Sequence, residues 1–434
     1  MSFVRYTLVF LLCFVAGTAA AQTHSLQKSP ALSEAAPKAA GMSADRLAHI
    51  DAMAKEAVDA GHLPGVVALV ARHGKIVFWK AYGKADNASN RMMKRDDIFR
   101  IASQTKAITS TAVLMLWEEG HFQLDDPISK YIPEFKNPQV LSRYRYSDTT
   151  YTTVDADKEI TIRHLLTHTS GIGYGVIDGD ERMKMIYNKA GITDLFTTES
   201  ITIEESVKKL AKLPLHHNPG EKFTYSEGLD VLGYFIEVIS GQPFDDFLRT
   251  RIFDPLGMDD TWFYLPDNKA DRLVSVQRKD KDGGWEQYPI TFYDTNYPIT
   301  GARTFFSGGA GLSSTAKDYA TFLQMYLNGG ELNGTRILSR KTIESAMKNQ
   351  VGALNGENAT SGIGLAFGVV NDKGVARGGI GSAGTFEWGG YFNTQYFADP
   401  DEQLIGVILK QTQGPVMDNT GWKFRLFTGQ AIDD

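Results

Sequence analysis

A serine and a lysine three residues apart stand where an apolar helix is predicted to begin. The stretch "FRIASQTKAITS" places Ser103 and Lys106 at positions i and i+3, so both side chains lie on one helix face. A neighbouring lysine can take the proton of a serine hydroxyl, and a helix N-terminus offers positive potential and free N–H groups to a developing oxyanion. The pair therefore indicates a possible nucleophile, Ser103, with Lys106 as its proton acceptor.

The same residues also have a structural interpretation. Serine is a common helix N-cap, in which case Lys106 would be a surface residue. The spacing alone does not decide, because S-x-x-K occurs five times in the chain. The occurrences are Ser25/Lys28, Ser103/Lys106, Ser206/Lys209, Ser314/Lys317 and Ser345/Lys348. Ser103 differs from the other four serines because apolar sequence on both sides predicts that it begins a buried helix.

Two further stretches favour the nucleophile. "PGEKFTYSEGLDVLG" places Tyr225 on a Pro/Gly loop before an apolar helix, where its hydroxyl can exchange protons with a serine–lysine pair. A core tyrosine with a satisfied hydroxyl is the alternative. "GTFEWGGYFNTQYFADP" predicts a strand that carries Trp388, Gly389 and Gly390. Glycines within a strand often allow another group to approach the backbone closely.

With these motifs in view, the chain resembles the serine β-lactamase and penicillin-binding protein superfamily. Within it, the chain is most similar to the class C-like branch that includes the family VIII carboxylesterases. That family carries S-x-x-K, then Y-x-N or a variant, then K-T-G or W-G-G on a strand. Here the three motifs are residues 103–106, 225–227 and 388–390, in that order. The resemblance extends from about residue 41 to residue 425.

The resemblance implies acyl transfer through Ser103. Its hydroxyl would attack a carbonyl group and form an acyl-enzyme, while Lys106 and Tyr225 handle the proton, and either of the two is a candidate base. The oxyanion would lie between the backbone N–H groups of Ser103 and Tyr391, next to Gly389 and Gly390. Water, an alcohol or an amine would then accept the acyl group. No metal and no organic cofactor is implied.

Two departures from the family pattern bear on the substrate. Glu227 occupies the place of an asparagine that contacts β-lactams, and Trp388 occupies the place of a lysine that helps to bind a substrate carboxylate. Both changes disfavour anionic β-lactams and suit a neutral or hydrophobic ester. We therefore expect hydrolysis or transfer of the acyl group of a small to medium carboxylic ester. The alternatives are a β-lactamase, DD-peptidase or D-aminopeptidase and, less favoured, a non-catalytic penicillin- or peptide-binding sensor.

The elements that must position these residues belong to an α+β fold. Antiparallel strand patterns near both chain ends and helical patterns between them predict an antiparallel sheet flanked by helices with a mostly helical inserted domain. By resemblance this is the β-lactamase/transpeptidase-like fold. We expect residues 41–119 and 291–434 to form the sheet domain and residues 120–290 the insertion. The active site would lie between them.

The N-terminus predicts export. Residues 1–21 combine Arg5, an apolar run from Thr7 to Gly17 and an A-x-A pattern that ends at Ala21. These features are typical of a cleaved signal peptide, so we expect a secreted or periplasmic protein. The apolar run is too short to span a bilayer comfortably, so no stable membrane anchor is expected. Residues 22–40 are rich in Ala, Ser and Pro and predict a flexible lead-in.

Composition excludes several other classes of protein. The 434 residues carry a formal net charge of -6 and no long basic run, which argues against a nucleic-acid partner. The one cysteine, Cys13, lies in the signal, so disulfides, thiolate catalysis and zinc–cysteine sites are excluded from the mature chain. His164 and His168 have the i, i+4 spacing of a metal pair but lack the acidic residue of H-E-x-x-H, so no metal site is predicted. The oligomeric state stays open.

Overall fold

The structure is a computed structural model that describes residues 24–365, 367–378, 381–414 and 418–434. The predicted signal peptide, residues 1–21, lies outside the described residues. No helix in the described part of the chain is long and apolar enough to cross a membrane.

The strands of the described residues are β1 (Ser33–Glu34), β2 (Gly65–Arg72), β3 (Lys75–Asp86), β4 (Arg91–Met92), β5 (Phe99–Arg100), β6 (Gln139–Arg145), β7 (Thr150–Asp155), β8 (Gln277–Lys279), β9 (Trp285–Gln287), β10 (Ser313–Ser314), β11 (Glu331–Leu332), β12 (Thr335–Arg336), β13 (Ser361–Ile363), β14 (Gly368–Val370), β15 (Phe386–Gly390), β16 (Thr394–Asp399) and β17 (Leu404–Leu409).

The main sheet combines strands from both ends of the chain. Its order is β1-β3-β2-β17-β16-β15-β14-β13, with β4 paired to β3. Neighbouring strands are antiparallel, as the sequence predicts, except that β1 runs parallel to β3 at one edge. The hairpin of β2 and β3 joins at His73 and Gly74, where both residues have positive φ angles. Such angles suit glycine and explain the turn at this point.

The α-helices are α1 (Ala44–Asp59), α2 (Thr105–Glu118), α3 (Ile162–Leu166), α4 (Glu181–Ala190), α5 (Ile203–Leu210), α6 (Gly228–Ser240), α7 (Phe244–Leu248), α8 (Asp254–Leu256), α9 (Tyr297–Thr300), α10 (Ala316–Leu327), α11 (Arg340–Ala346), α12 (Asp372–Ala376) and α13 (Thr420–Gln430). Short 3₁₀ helices cover Pro37–Ala40, Ala102–Gln104, Ile128–Lys130, Pro133–Phe135 and Asp267–Arg272, and a π-helical turn covers Arg249–Phe253.

Helices cover both faces of the sheet because its central strands are apolar on both sides. On β2, Val66 and Val70 face a core shared with α1 and α13. Val67 and Leu69 alternate with them and face the larger core, which contains α2 and α10. This arrangement follows from the period of two along a strand. The predicted α+β architecture, with helices on an antiparallel sheet, is therefore present.

Helix α2 is the element on which the nucleophile depends. All of its residues from Thr105 to Leu116 are buried, as the apolar sequence predicts. Ile108, Val113 and Leu114 lie in the larger core, and burial of each contributes roughly 1.5–3 kcal/mol. The first turn of α2 is therefore held in a fixed place.

The region between residues 120 and 290 contains strands that the sequence patterns did not indicate. β6 pairs with β7 and β8 pairs with β9 in two separate antiparallel hairpins. Most residues of β6 and β7 are exposed or half-buried, so they show no clean apolar alternation. The division into a sheet domain and an inserted domain stays a prediction.

The described part of the predicted lead-in contacts the body of the protein. Residues 33–34 form β1 beside β3. The Ser29 hydroxyl and backbone N–H both donate to the Glu331 carboxylate, at 2.5 and 3.1 Å. The segment thus has more structure than its Ala/Ser/Pro composition indicates, because its partners, β3 and Glu331, lie in distant parts of the chain.

Candidate active site

Ser103 lies in the short 3₁₀ turn Ala102–Gln104 that leads into α2. It does not cap the helix with its side chain, because Gln104 is the N-cap residue and no side-chain cap bond is formed there. The preceding Ala102 is fully buried and has a φ angle of 42°. A positive φ is uncommon for a residue other than glycine, and such strain concentrates at functional sites.

Two predicted partners converge on the Ser103 hydroxyl. The Tyr225 hydroxyl donates to Ser103 Oγ at 2.7 Å, and Lys106 Nζ donates to the same oxygen at 3.4 Å. The ammonium also lies 4.7 Å from the centre of the Tyr225 ring. The structure therefore brings together the first two sequence motifs in hydrogen-bonding geometry.

Lys106 is 1% exposed, so its charge needs partners inside the protein. Besides Ser103, its ammonium donates to the Gly309 carbonyl at 2.7 Å and to the Tyr174 hydroxyl at 3.0 Å. An ammonium has three protons to donate, so these acceptors satisfy it. The buried lysine is held by oxygens on three separate segments of the chain.

Tyr174 is a site residue that sequence reasoning missed. It is buried, its ring lies 5.4 Å from that of Tyr225, and burial raises its pKa well above the ordinary value. The signal that could have revealed it is the tyrosine between two glycines in "GIGYGV". A Cβ at Gly175 would lie 2.8 Å from the Asp194 carboxylate, so the loop packs too closely for a larger residue.

The third motif lies on β15, next to the segment that precedes Ser103. A Cβ on Gly390 would collide with the Ile101 carbonyl oxygen and the Thr394 hydroxyl, whereas one on Gly389 would lie 3.4 Å from its nearest neighbour. Gly390 thus permits the close approach that the sequence suggested. The Trp388 ring stacks on Tyr225, with centroids 6.1 Å apart. This contact brings the third motif to the nucleophile.

Tyr391 is the next residue after Gly390. Its side chain packs against a mostly aromatic cluster that also contains Ala102, the residue before Ser103. Its ring lies 6.3 Å from Phe196 and 6.4 Å from Tyr293, while Phe196 stacks on Tyr297 at 4.8 Å. The cluster also includes Tyr174, Tyr225, Tyr288 and Phe392. Aromatic rings therefore pack against the turn that precedes and contains Ser103. The role of the Tyr391 N–H in an oxyanion hole stays a prediction.

Glu227 lies elsewhere than the sequence led us to expect. It is 3% exposed, and burial together with the charge of Asp194 raises its pKa well above the ordinary value. The side chain therefore faces the interior, where burial disfavours its charged form. The expectation that Glu227 disfavours anionic substrates stays a prediction.

His168 contacts two residues of the second motif, Tyr225 and Ser226. Its Nδ1 lies 3.0 Å from Ser226 Oγ, and its ring lies 4.6 Å from the Tyr225 ring. Burial and the nearby Lys106 charge lower its pKa well below the ordinary value, so the imidazole is neutral. His164 instead accepts the Thr161 N–H at the start of α3. Among the described residues no cluster of three His, Cys, Asp or Glu side chains could hold a metal ion.

The chain is similar to known proteins along most of its length. The Beta-lactamase family profile matches residues 50–430. Esterase EstB of Burkholderia gladioli is 33% identical over 380 residues, which cover 84% of this chain and 90% of EstB. A protein of Escherichia coli O157:H7 named "Putative D-alanyl-D-alanine carboxypeptidase" is 27% identical over 416 residues, 91% of this chain and 89% of its own length.

Among solved structures, EstCE1, a hydrolase with promiscuous acyltransferase activity, superposes with a TM-score of 0.74 at 27% identity. The match covers 90% of this chain and 99% of EstCE1. The fold is therefore the β-lactamase/transpeptidase-like fold that the sequence motifs predicted.

Proposed function

Because the chain belongs to the Beta-lactamase family, we propose that it hydrolyses small to medium carboxylic esters through an acyl-enzyme at Ser103. The family and its esterase relatives identify a serine hydrolase. The observation that carries the finer proposal is the contact of Ser103 Oγ with both Tyr225 and Lys106, beside an aromatic wall. This arrangement joins a nucleophile, its proton partners and a neighbouring cluster of aromatic side chains.

In the reactive form of the proposed site, the Tyr225–Lys106 pair has given up one proton, so that Tyr225 is a phenolate beside the Lys106 ammonium. Ser103 Oγ then forms a bond to the ester carbonyl carbon as its proton passes to the Tyr225 oxygen. Tyr225 makes the shorter contact with Oγ, so we assign it as the immediate proton partner, with Lys106 as the cation that orients it. The carbonyl oxygen becomes an oxyanion between the N–H groups of Ser103 and Tyr391. The carbon–oxygen bond to the alcohol then breaks, and the stored proton goes to the departing oxygen.

Deacylation runs the same steps with water in place of the alcohol. Water loses a proton to the Tyr225–Lys106 pair, its oxygen bonds to the acyl carbon, and the ester bond to Ser103 breaks as the proton returns to Oγ. EstCE1 is described as a hydrolase with acyltransferase activity. An alcohol that replaces water at this step would lead to transfer instead of hydrolysis.

The surroundings of Ser103 favour a neutral substrate. Phe196, Tyr293 and Tyr391 belong to the cluster around the nucleophile, and Trp388 provides a ring where a cation would otherwise meet a carboxylate. Apolar and aromatic walls gain free energy when they bury hydrocarbon, and lose it when they desolvate an unpaired charge. We therefore infer an ester without a negative charge near the scissile bond.

A peptide or β-lactam amide is the second candidate. It is supported by the relatives whose name refers to D-alanyl-D-alanine carboxypeptidase, at 27% identity. These substrates carry a carboxylate, for which the third motif here offers Trp388 in place of a lysine. The sensor hypothesis requires that no turnover occurs at Ser103.

One experiment separates these possibilities. Hydrolysis of p-nitrophenyl acetate, butyrate and octanoate is measured beside that of nitrocefin, with the mature protein and with Ser103→Ala. We expect strong ester turnover and feeble nitrocefin turnover, both lost in the variant. Fast nitrocefin turnover with negligible ester turnover would replace the ester proposal with the amide one. Turnover of neither substrate would favour the sensor.

We also propose that the protein is secreted or periplasmic. The support is the signal-like pattern of residues 1–21. Expression of the full chain in a bacterial host should yield exported protein whose N-terminus, located by the mass of the intact chain, begins near Gln22. Retention of the full chain in the cytoplasm would contradict the proposal.

A further inference from the structure

Three buried carboxyl groups lie in or near the second motif, and the proposed reaction uses none of them. Asp194 lies in the loop after α4, whereas Glu227 and Asp230 lie at the start of α6, and all three are buried. Isolated buried carboxylates are costly, so each of these groups requires partners.

Asp230 has such partners at one of its two oxygens, whereas its Oδ2 is buried without a donor among the described residues. Its Oδ1 accepts hydrogen bonds from the Ser307 hydroxyl at 2.5 Å and from the Gly309 N–H at 3.3 Å. Gly309 in turn offers its carbonyl oxygen to Lys106. Asp230 therefore fixes the segment that holds the lysine, and its position has a structural explanation.

Asp194 and Glu227 lack a full set of donors. Asp194 Oδ2 accepts the Val176 N–H at 2.6 Å. Its other oxygen, Oδ1, and Glu227 Oε1 are buried and have no conventional donor among the described residues. Both residues are anchored to the loop of residues 173–176, and the carboxyl group of each acts on the charge of the other. Two ionised carboxylates are acceptors only and repel each other, so a proton on one of them would supply the donor that these buried oxygens lack.

We propose that Glu227 and Asp194 hold one proton between them, as a carboxylic acid–carboxylate pair, and that this pair positions Tyr174 and Tyr225 at the nucleophile. The positioning role rests on the proposed function of the Ser103 site. The proton itself is a property of the folded protein and is tested separately.

The contacts around the pair show how it acts on the site. The Glu227 N–H donates to the Gly173 carbonyl at 3.1 Å, and Asp194 holds Val176 on the other side of the same loop. Tyr174 lies between these two anchor points, and Tyr225 lies two residues before Glu227. Loss of the shared proton would release the loop from the second motif. The Tyr174 hydroxyl that Lys106 contacts would then move.

The charge state of the pair depends on all the ionisable groups that face it. These groups are Asp230, Lys106, Tyr174, Tyr187 and Tyr391. Burial raises the pKa of both members, the mutual charge raises that of Glu227 further, and the Lys106 charge lowers that of Asp194. The proton is therefore retained well above the pH at which a free carboxyl group loses it. At alkaline pH the pair becomes two repelling carboxylates.

The test compares Glu227→Gln with Glu227→Leu. A glutamine amide donates to Asp194 as the protonated acid does but does not titrate, whereas leucine leaves the Asp194 carboxylate unpaired. With p-nitrophenyl butyrate we expect kcat of Glu227→Gln within about threefold of wild type at neutral pH, and that of Glu227→Leu at least about tenfold lower with little change in KM. An equal, large loss in both variants would overturn the proposal, because Glu227 would then act as an anion.

The pH profile supplies a readout that a merely structural role would not change. Between about pH 5 and about pH 10, wild-type kcat should fall on the alkaline side as the pair loses its proton, and Glu227→Gln should retain activity there. Coincident profiles of the two proteins would contradict a shared proton. Nitrocefin replaces the ester in both measurements if it proves to be the better substrate.

Infrared difference spectroscopy tests the proton without turnover. The spectrum of Ser103→Ala minus that of Ser103→Ala/Glu227→Gln, at neutral pH, should show the carbonyl stretch of a protonated carboxylic acid that deuterium shifts. Subtraction removes other buried acids such as Asp318, whose pKa is also raised. Absence of the band would overturn the proposal even in an active esterase. Its presence in a protein without ester turnover would reject the proposed function and leave the acid pair in place.

Discussion

Helix α2, which begins directly after the turn that carries Ser103, and the loops that carry Tyr174 and Tyr225 meet at one hydroxyl, but different forces hold them. Helix α2 is packed into an apolar core along almost its whole length. The loops depend on buried polar contacts, such as that of His168 with Ser226 and that of Asp194 with Val176. Apolar packing tolerates changes that conserve volume, whereas a buried polar network is costly when one member loses its partner.

This difference teaches where the site is robust and where it is adjustable. The nucleophile is fixed by the core of the protein and needs little help from its neighbours. The tyrosines are placed by hydrogen bonds and by the charge state of Asp194 and Glu227. Variants of α2 should therefore act through chemistry or global stability, and variants of the loops through geometry and pH.

The largest effects are expected at the hydroxyls themselves. Ser103→Ala removes the nucleophile and should lower ester turnover at least about 10³-fold. Tyr225→Phe keeps the stacked ring and removes only the proton partner, so a loss of about 10²- to 10⁴-fold is expected. Initial rates on p-nitrophenyl butyrate measure both losses, with thermal melting to verify folding.

Ser110, which lies on α2, provides the matched control for Ser103→Ala. Its hydroxyl donates to the Leu365 carbonyl at 2.9 Å within the core, away from the nucleophile. Ser110→Ala should cost about 1 kcal/mol of stability and leave turnover near the wild-type value. If Ser110→Ala abolished turnover as Ser103→Ala does, the separation of packing from chemistry along α2 would be untenable.

The sequence predicted the region held by packing far better than the region held by polar contacts. Ser103 and Lys106 were found because motif and apolar helix coincide in one short stretch, and Tyr225 and Trp388 because local glycines mark their loops and strands. Tyr174, Asp194 and Asp230 were missed. Their proximity to Lys106 arises only when distant segments fold together, and a buried carboxyl group has no local pattern that distinguishes it from a surface one.

A second prediction concerns the close approach of β15 to the turn before Ser103. Gly390→Ala adds a methyl group that collides with the Ile101 carbonyl oxygen and the Thr394 hydroxyl. Overpacking of this kind costs about 1–3 kcal/mol and should displace Trp388 and Tyr391 together. Chemical denaturation and ester turnover should both report the loss.

The neighbouring glycine sharpens this test. A Cβ on Gly389 would meet its nearest atom at 3.4 Å, which is ordinary contact. Gly389→Ala should therefore change stability by less than about 0.5 kcal/mol and leave most of the activity. Equal damage from both substitutions would show that neither glycine position of β15 tolerates a side chain, and that the close approach at Gly390 is not the cause.

A third prediction follows from the raised pKa of Glu227. In the unfolded chain this carboxyl group titrates near 4.5, while the folded protein holds the proton to higher pH. Between those two values the native state binds more protons than the unfolded state, so the free energy of unfolding falls as pH rises. The slope for one proton is about 1.4 kcal/mol per pH unit. Glu227→Gln should flatten this decline in urea unfolding at acid, neutral and mildly alkaline pH.

Glu199 serves as the control for that measurement, because it is exposed. Glu199→Gln should leave the wild-type slope unchanged. Equal slopes in wild type and Glu227→Gln would mean that Glu227 is ionised in the folded protein. The loops would then be held by charge rather than by a shared proton.

The smallest effect is expected at Trp388, which lies on strand β15 and contacts the loop that carries Tyr225. Its ring stacks on Tyr225. Because Trp388 occupies the position of the family's lysine, the third motif has no cation there. Trp388→Lys removes the stack and adds a charge, so the ratio of kcat/KM for a neutral ester to that for an ester bearing a carboxylate should fall about tenfold. Trp388→Phe keeps an aromatic ring and should leave the ratio within about twofold. If both variants kept the wild-type ratio, selectivity would have to lie in the aromatic cluster around Phe196 and Tyr293, on the loop side of the nucleophile.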